Sequence, residues 1–155
     1  MLSNALGSRL RRGEAEVFMC DLRVHVPEAG LYAYPDLKVC CDAPEVTDHD
    51  PPSLLNPTVV VEVLSESTAA YDAGPKAAHY RLRPSLKTIV LVDSRRSYIQ
   101  VQARNADGTW TLTEGTSGAL VIASLGVVIP VVEIYDGVEF PAPVLPKPRR
   151  ARQKR

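Results

Sequence analysis

No apolar run in this chain is long enough to cross a bilayer as a helix; the longest, residues 58–64, is interrupted by Glu62. The first residues, MLSNALGS, lack a basic start followed by an apolar stretch, so no secretory leader is expected. Cysteine is scarce. Cys20, Cys40 and Cys41 are odd in number and none lies in a CxxC spacing, which excludes a disulfide framework and a zinc ribbon. Cys40 and Cys41, being adjacent, point to opposite faces of a strand and suit one metal poorly, so reduced thiols in a cytoplasmic protein are expected. The three histidines, His25, His49 and His79, are scattered and form no ligand pattern. A glycine-rich loop that could cradle a phosphate is missing, which weakens any reading as a hydrolase of small phosphate esters. An excess of one charge is missing too: 18 Lys and Arg stand against 18 Asp and Glu.

What remains is an ordinary globular composition. With 155 residues, 45% hydrophobic and 23% charged, the chain has the size of one domain with its own core. The neutral total hides an uneven distribution. Residues 147–155 hold six basic side chains and no acid; removing them leaves 12 basic against 18 acidic over residues 1–146, a net charge of −6. The reading is an acidic domain over residues 1–140 followed by a Pro-rich, basic and disordered tail over 141–155. A uniformly basic nucleic-acid module is excluded, whereas a basic arm touching phosphates is not.

The apolar periodicity gives an α/β chain. Leu2, Leu6 and Leu10 stand four apart, predicting a helix over residues 2–12, with Arg9, Arg11 and Arg12 in its last turn and Gly13 as a stop. Short strands follow at 16–20 and 22–26, the latter alternating, then a turn at 27–30 and further strands at 31–34 and 37–41, the last with Leu37, Val39 and Cys41 alternating with Lys38 and Cys40. They read as an antiparallel meander or a pair of hairpins. Residues 42–57 read as an acidic, Pro-rich loop. The segments 58–65 (TVVVEVLS) and 88–93 (TIVLVD) are apolar on both faces, the mark of strands covered on both sides. Between them lie a short turn at 68–71 and a helix expected to open at Gly74–Pro75 and to end at Pro84, so the unit reads as βαβ with parallel strands. A hairpin with an Asp-Gly turn at 107–108, short extended pieces at 120–122 and 127–129, and a last helical turn at 130–135 complete a mixed sheet.

One residue breaks the local rule. Glu62 stands in VVVEVL, where a buried carboxylate costs several kcal/mol unless it is paired with Arg or Lys or binds a cation. Asp36 follows Pro35 at the entry to a strand; alone it is a turn residue, but with Glu62 on a neighbouring strand it could share a hard cation such as Mg²⁺. Asp72, Lys76 and Tyr80 are spaced by four and share one helix face if the helix starts early enough, which Pro75 argues against for Asp72. Lys76 reads either as a contact to a scissile phosphate or an attacking water, or as a solvated lysine beside a core tyrosine.

Together, Pro35-Asp36, the run 56–65 (NPTVVVEVLS), Tyr71-Asp72, Lys76, Tyr80, residues 84–86 (PSL) and residues 90–93 (VLVD) resemble the Uma-two-type restriction endonucleases of the PD-(D/E)xK superfamily, as do residues 124–127 (SLGV) and 133–137 (EIYDG). The resemblance implies a restriction endonuclease-like fold, a mixed sheet flanked by helices. It implies a Mg²⁺- or Mn²⁺-dependent endonuclease acting on DNA. Asp36 and Glu62 would be metal ligands with the Val63 backbone carbonyl as a third, Lys76 would replace the lysine that the superfamily places at the position of Leu64, and Tyr80 and Asp72 would support them. Family members usually carry a few tens of residues ahead of the point where this sequence starts, including an acidic segment. The alternative is a catalytically inactive binding or assembly protein on the same scaffold. Pairing into a homodimer through an edge strand and phosphate contacts from Arg9, Arg11, Arg12 or the tail complete the expectations.

Overall fold

Valine and isoleucine favour extended backbone, and a strand made of them on both faces is stable only between two layers. The computed structural model, which describes residues 2–10 and 15–142, places the two such segments at the centre of a six-stranded sheet. The strands β1 (Glu16–Phe18), β4 (Leu37–Cys40), β6 (Val59–Leu64), β7 (Thr88–Asp93), β8 (Ile99–Arg104) and β9 (Trp110–Gly115) lie in the order β1-β4-β6-β7-β8-β9. β6 and β7 run parallel, Val63 opposite Val92, and every other neighbouring pair is antiparallel. The sheet is mixed, as expected.

One face is covered by α1 (Leu2–Arg9), α4 (Val131–Ile134) and the hairpin of β10 (Ala119–Ile122) and β11 (Val127–Pro130). Leu6, Val61, Val90, Ile122 and Ile129 meet there with almost no solvent contact. Burying one such side chain is worth roughly 1.5–3 kcal/mol. The other face carries α3 (Ala77–Arg81) and a small sheet ordered β3-β2-β5, made of β2 (Arg23–Val26), β3 (Leu31–Ala33) and β5 (Ser53–Leu54).

Several expectations change in detail. The segment 42–57 is not all loop, since Ser53 and Leu54 pair in parallel with Arg23 and Val24. β4 is buried on both faces rather than alternating: Lys38 and Cys40 are as enclosed as Leu37 and Val39. Cys41 is exposed while Cys40 is buried, the opposite facing that adjacency predicts, and burial pushes the Cys40 thiol up to about 12. The first helix ends at Arg9; Arg11, Arg12 and Gly13 lie outside the described residues, as do residues 143–155 and with them most of the basic tail. The hairpin turn is as read, with Gly108 at φ 85°, a conformation costly for any residue with a Cβ.

The largest correction concerns the start of the crossover helix. Gly74 and Pro75 do not open it. Helical backbone runs from α2 (Ala69–Tyr71) through a π-helical turn (Asp72–Lys76) into α3. Proline has no N–H to give to the carbonyl four residues back, and its ring crowds that carbonyl. A locally widened turn accommodates both effects without ending the helix.

Candidate active site

Alternation along β6 sends Val59 and Val61 to the apolar face and Val60, Glu62 and Leu64 to the face under α3. Glu62 is 3% exposed. Its Oε1 accepts a hydrogen bond from the Tyr80 hydroxyl at 2.8 Å and faces the Lys76 ammonium at 2.7 Å. Lys76 also reaches Asp72, one turn earlier, at 3.0 Å. Because helical backbone passes through Pro75, Asp72, Lys76 and Tyr80 do share one face, and Asp72 is buried with them. Lys76 is therefore not a solvated lysine beside a core tyrosine: it is shared between two carboxylates.

The electrostatics follow from that sharing. Burial raises the Glu62 carboxyl above its ordinary value, against the pull of Lys76 and Tyr80, and neighbouring Asp72 adds to the rise. Burial draws the Lys76 ammonium down, but Glu62 and Asp72 more than offset it, so it titrates above an ordinary lysine. Tyr80 is raised by burial and by the Glu62 charge, which keeps it a hydrogen-bond donor. One cation between two carboxylates leaves a surplus of negative charge, and among the described residues no donor reaches Glu62 Oε2.

Asp36 stands at the entry to β4, where the ladder with β6 ends at the pair Leu37–Val61. Val63 lies beyond that pair, and its N–H donates to Asp36 Oδ2 at 2.7 Å in place of a strand partner. In extended backbone the N–H and C=O of one residue point to the same side. The Val63 carbonyl is thus directed to the same strand edge as Asp36. Asp36 is thus joined across 27 residues of chain to Val63, the residue that follows Glu62 on β6.

Sequence reasoning missed Lys38. Its side chain has no solvent exposure, and Lys38 lies opposite Val60, on the face of Glu62 and Tyr80. Its Nζ donates to the Pro35 carbonyl at 3.2 Å. Burial lowers this ammonium below an ordinary lysine, while the charges of Cys20, Asp21, Glu62 and Asp36 work in the opposite direction. The available signal was a lysine two places after Asp36, inside an otherwise apolar LKVCC strand.

The chain matches the family Uma2, described as "Putative restriction endonuclease", over residues 1–131. It belongs to the Uma2 family. Two proteins of Synechocystis sp. are similar to it. The uncharacterized protein sll1609 is 33% identical over 113 residues, covering 73% of this chain and 64% of its own length. The uncharacterized protein slr1290 is 34% identical over 140 residues, covering 90% of this chain and 73% of its own. The chain thus spans somewhat under two thirds of the first of these relatives. A crystal structure titled as a putative nuclease belonging to DUF820 from Anabaena variabilis superimposes with a TM-score of 0.62 at 11% identity, covering 86% of this chain and 73% of that one. That likeness establishes the fold.

Within this Uma2 chain, the fit of the site to a hard divalent cation can be judged from its donors. Among the described residues no three His, Cys, Asp or Glu side chains converge as metal ligands. Mg²⁺, however, is commonly held by one or two carboxylates and keeps several waters. Asp36 Oδ1 and Glu62 Oε2 each lack a protein donor among the described residues, and both are hard oxygen ligands. The donor set fits. At the same end of the sheet, Asp93 terminates β7 and holds Arg95 through two hydrogen bonds, 3.0 and 2.9 Å, which keep its carboxyl well below the usual range. Arg95 is partly exposed, and Arg96 is exposed and lies over the Tyr98 ring. Arg9, by contrast, is paired with Glu133 at 2.8 and 2.6 Å, so its charge is already matched. No helix among the described residues is long and apolar enough to cross a membrane.

Proposed function

We propose that this Uma2 protein is a metal-dependent endonuclease that hydrolyses phosphodiester bonds of DNA. The observation that carries the reading is Glu62: a buried carboxylate on the central strand, with one oxygen fixed by Tyr80 and Lys76, the other free, and Asp36 at the same strand end. Restriction endonuclease-like families use a divalent metal, and here Asp36, Glu62 and the Val63 carbonyl would hold Mg²⁺ or Mn²⁺. When bound, the metal would offset charge building on the phosphate and make water more acidic. The remaining tasks fall to the chain. Tyr80 and Lys76 fix the rotamer of Glu62, so its free oxygen is aimed before any substrate arrives. Asp72 anchors Lys76 from the other side, and the ammonium, still 12% exposed, orients the attacking water or the scissile phosphate. Arg95 and Arg96 offer phosphate contacts whose strength falls with salt.

Purified protein should nick or cut plasmid DNA with Mg²⁺ or Mn²⁺ and not with EDTA. Asp36→Asn and Glu62→Gln should abolish cutting while the circular dichroism spectrum is kept. Equal cutting by all three proteins would point to a contaminant and sink the assignment. Pairing of two copies through the open edge of β9, which would put two sites on one duplex, is read by sizing chromatography.

A second reading is favoured by one observation: among the described residues no three His, Cys, Asp or Glu side chains are grouped so that they could hold a metal ion. On it, the protein is a catalytically inactive binding or assembly module. Such a protein would show no Mg²⁺- or Mn²⁺-dependent rise in melting temperature.

A further inference from the structure

Lys38 plays no part in the mechanism above, and its position is costly. Its ammonium is fully enclosed and has one neutral acceptor, the Pro35 carbonyl. No carboxylate among the described residues lies within ion-pair distance of it. An enclosed ammonium so poorly matched destabilises a fold by kilocalories, and an apolar side chain of equal length would fill the space. By register it belongs to the site: Asp36 is two residues before it, at the entry to the same strand, and it lies opposite Val60, which shares a face of β6 with Glu62 two residues on.

We propose that Lys38 is a built-in counter-cation of the carboxylate pair, a positioning residue that makes metal and phosphodiester bind together rather than separately. The inference rests on the reading of Asp36 and Glu62 as metal ligands. The charges explain it. Asp36, Glu62 and Asp72 carry three negative charges, and Lys38 and Lys76 carry two positive ones. The empty site is therefore at about −1, and a divalent cation takes it to about +1, which the single charge of a phosphodiester then neutralises. Without Lys38, the cation alone brings the site to neutrality and the phosphodiester adds an unmatched charge. Lys38 so lowers the affinity for free metal and raises the coupling between metal and anionic backbone.

The test is calorimetric titration of Mn²⁺ into the full-length protein, with and without a phosphorothioate oligonucleotide that resists cleavage. Lys38→Met should bind Mn²⁺ about tenfold more tightly than wild type in the absence of DNA, and the gain in Mn²⁺ affinity that the oligonucleotide confers on wild type should shrink. Lys38→Arg, which keeps the charge, should behave as wild type. If Lys38→Met does not fold, Lys38→Gln serves, with the same expectation. Unchanged or weaker Mn²⁺ binding in a folded neutral variant overturns the inference, as does a Lys38→Arg that behaves like Lys38→Met. Failure of the underlying reading looks different: wild type would bind no Mn²⁺, or Asp36→Asn and Glu62→Gln would bind it as well as wild type, and then both ideas fall.

Discussion

The two faces of the central sheet are equally buried and chemically opposite. On the face covered by α1 and α4, β6 contributes Val59 and Val61, and their neighbours are aliphatic. On the face covered by α3, the same strand contributes Val60, Glu62 and Leu64, and next to them lie Lys38, Asp72, Lys76 and Tyr80. The first face holds the domain together by removing apolar surface from water. The second encloses at least four charged groups whose burial opposes folding, tolerated because they compensate one another. Glu62 and Val61 are adjacent residues, so the difference lies in what the opposing layer supplies. Local departure from an apolar pattern is what places the proposed chemistry on the second face.

The sharpest way to break that contrast is to put a carboxylate on the wrong face. Val61→Glu enters a cluster with no basic side chain to meet it and should cost about 3–5 kcal/mol in urea unfolding; near-normal stability would mean that the faces are not distinct. Removing the shared cation comes next. Lys76→Met takes from Glu62 and Asp72 the cation they share and should destabilise by about 3 kcal/mol, with Mg²⁺ restoring part of the loss. Metal-independent, unchanged stability would show that the pair is not held as described.

Glu62→Gln sharpens the comparison instead. It keeps the size and the Tyr80 contact, so stability should move by no more than about 1 kcal/mol, whereas plasmid cleavage should fall at least about 100-fold. A variant that lost stability and activity together would make Glu62 a structural residue. The smallest effect is expected at Asp93. Its folded value is depressed by Arg95, so its contribution is present above the ordinary aspartate value and is lost as pH falls through the lowered one. With both arginines partly or largely in solvent, that contribution is about 1 kcal/mol, and Asp93→Asn should flatten the acid limb of a stability profile measured from pH 7 downward.

Much of this was legible in the residues. The doubly apolar segments became β6 and β7, paired in parallel. The Asp-Gly hairpin formed where read, and the four-residue spacing of Asp72, Lys76 and Tyr80 became one face of a helix. Pro75 misled because its usual cost assumes regular α-helical geometry, and a π-helical turn changes that geometry. Lys38 was hidden because alternation reports only that one face of a strand is apolar; that the other face of β4 is also covered depends on residues brought in from elsewhere in the chain.

By itself the sequence determined where extended and helical backbone would form, and that a carboxylate would have to be buried on the central strand, because those properties depend on residues a few places apart. Only the tertiary structure decided which cation meets Glu62, that Asp36 holds the Val63 N–H, and that a second lysine is enclosed beside them. These depend on register between strands and on which layer covers which face, and the free energy of a buried charge is set by those distant partners rather than by its neighbours in the chain.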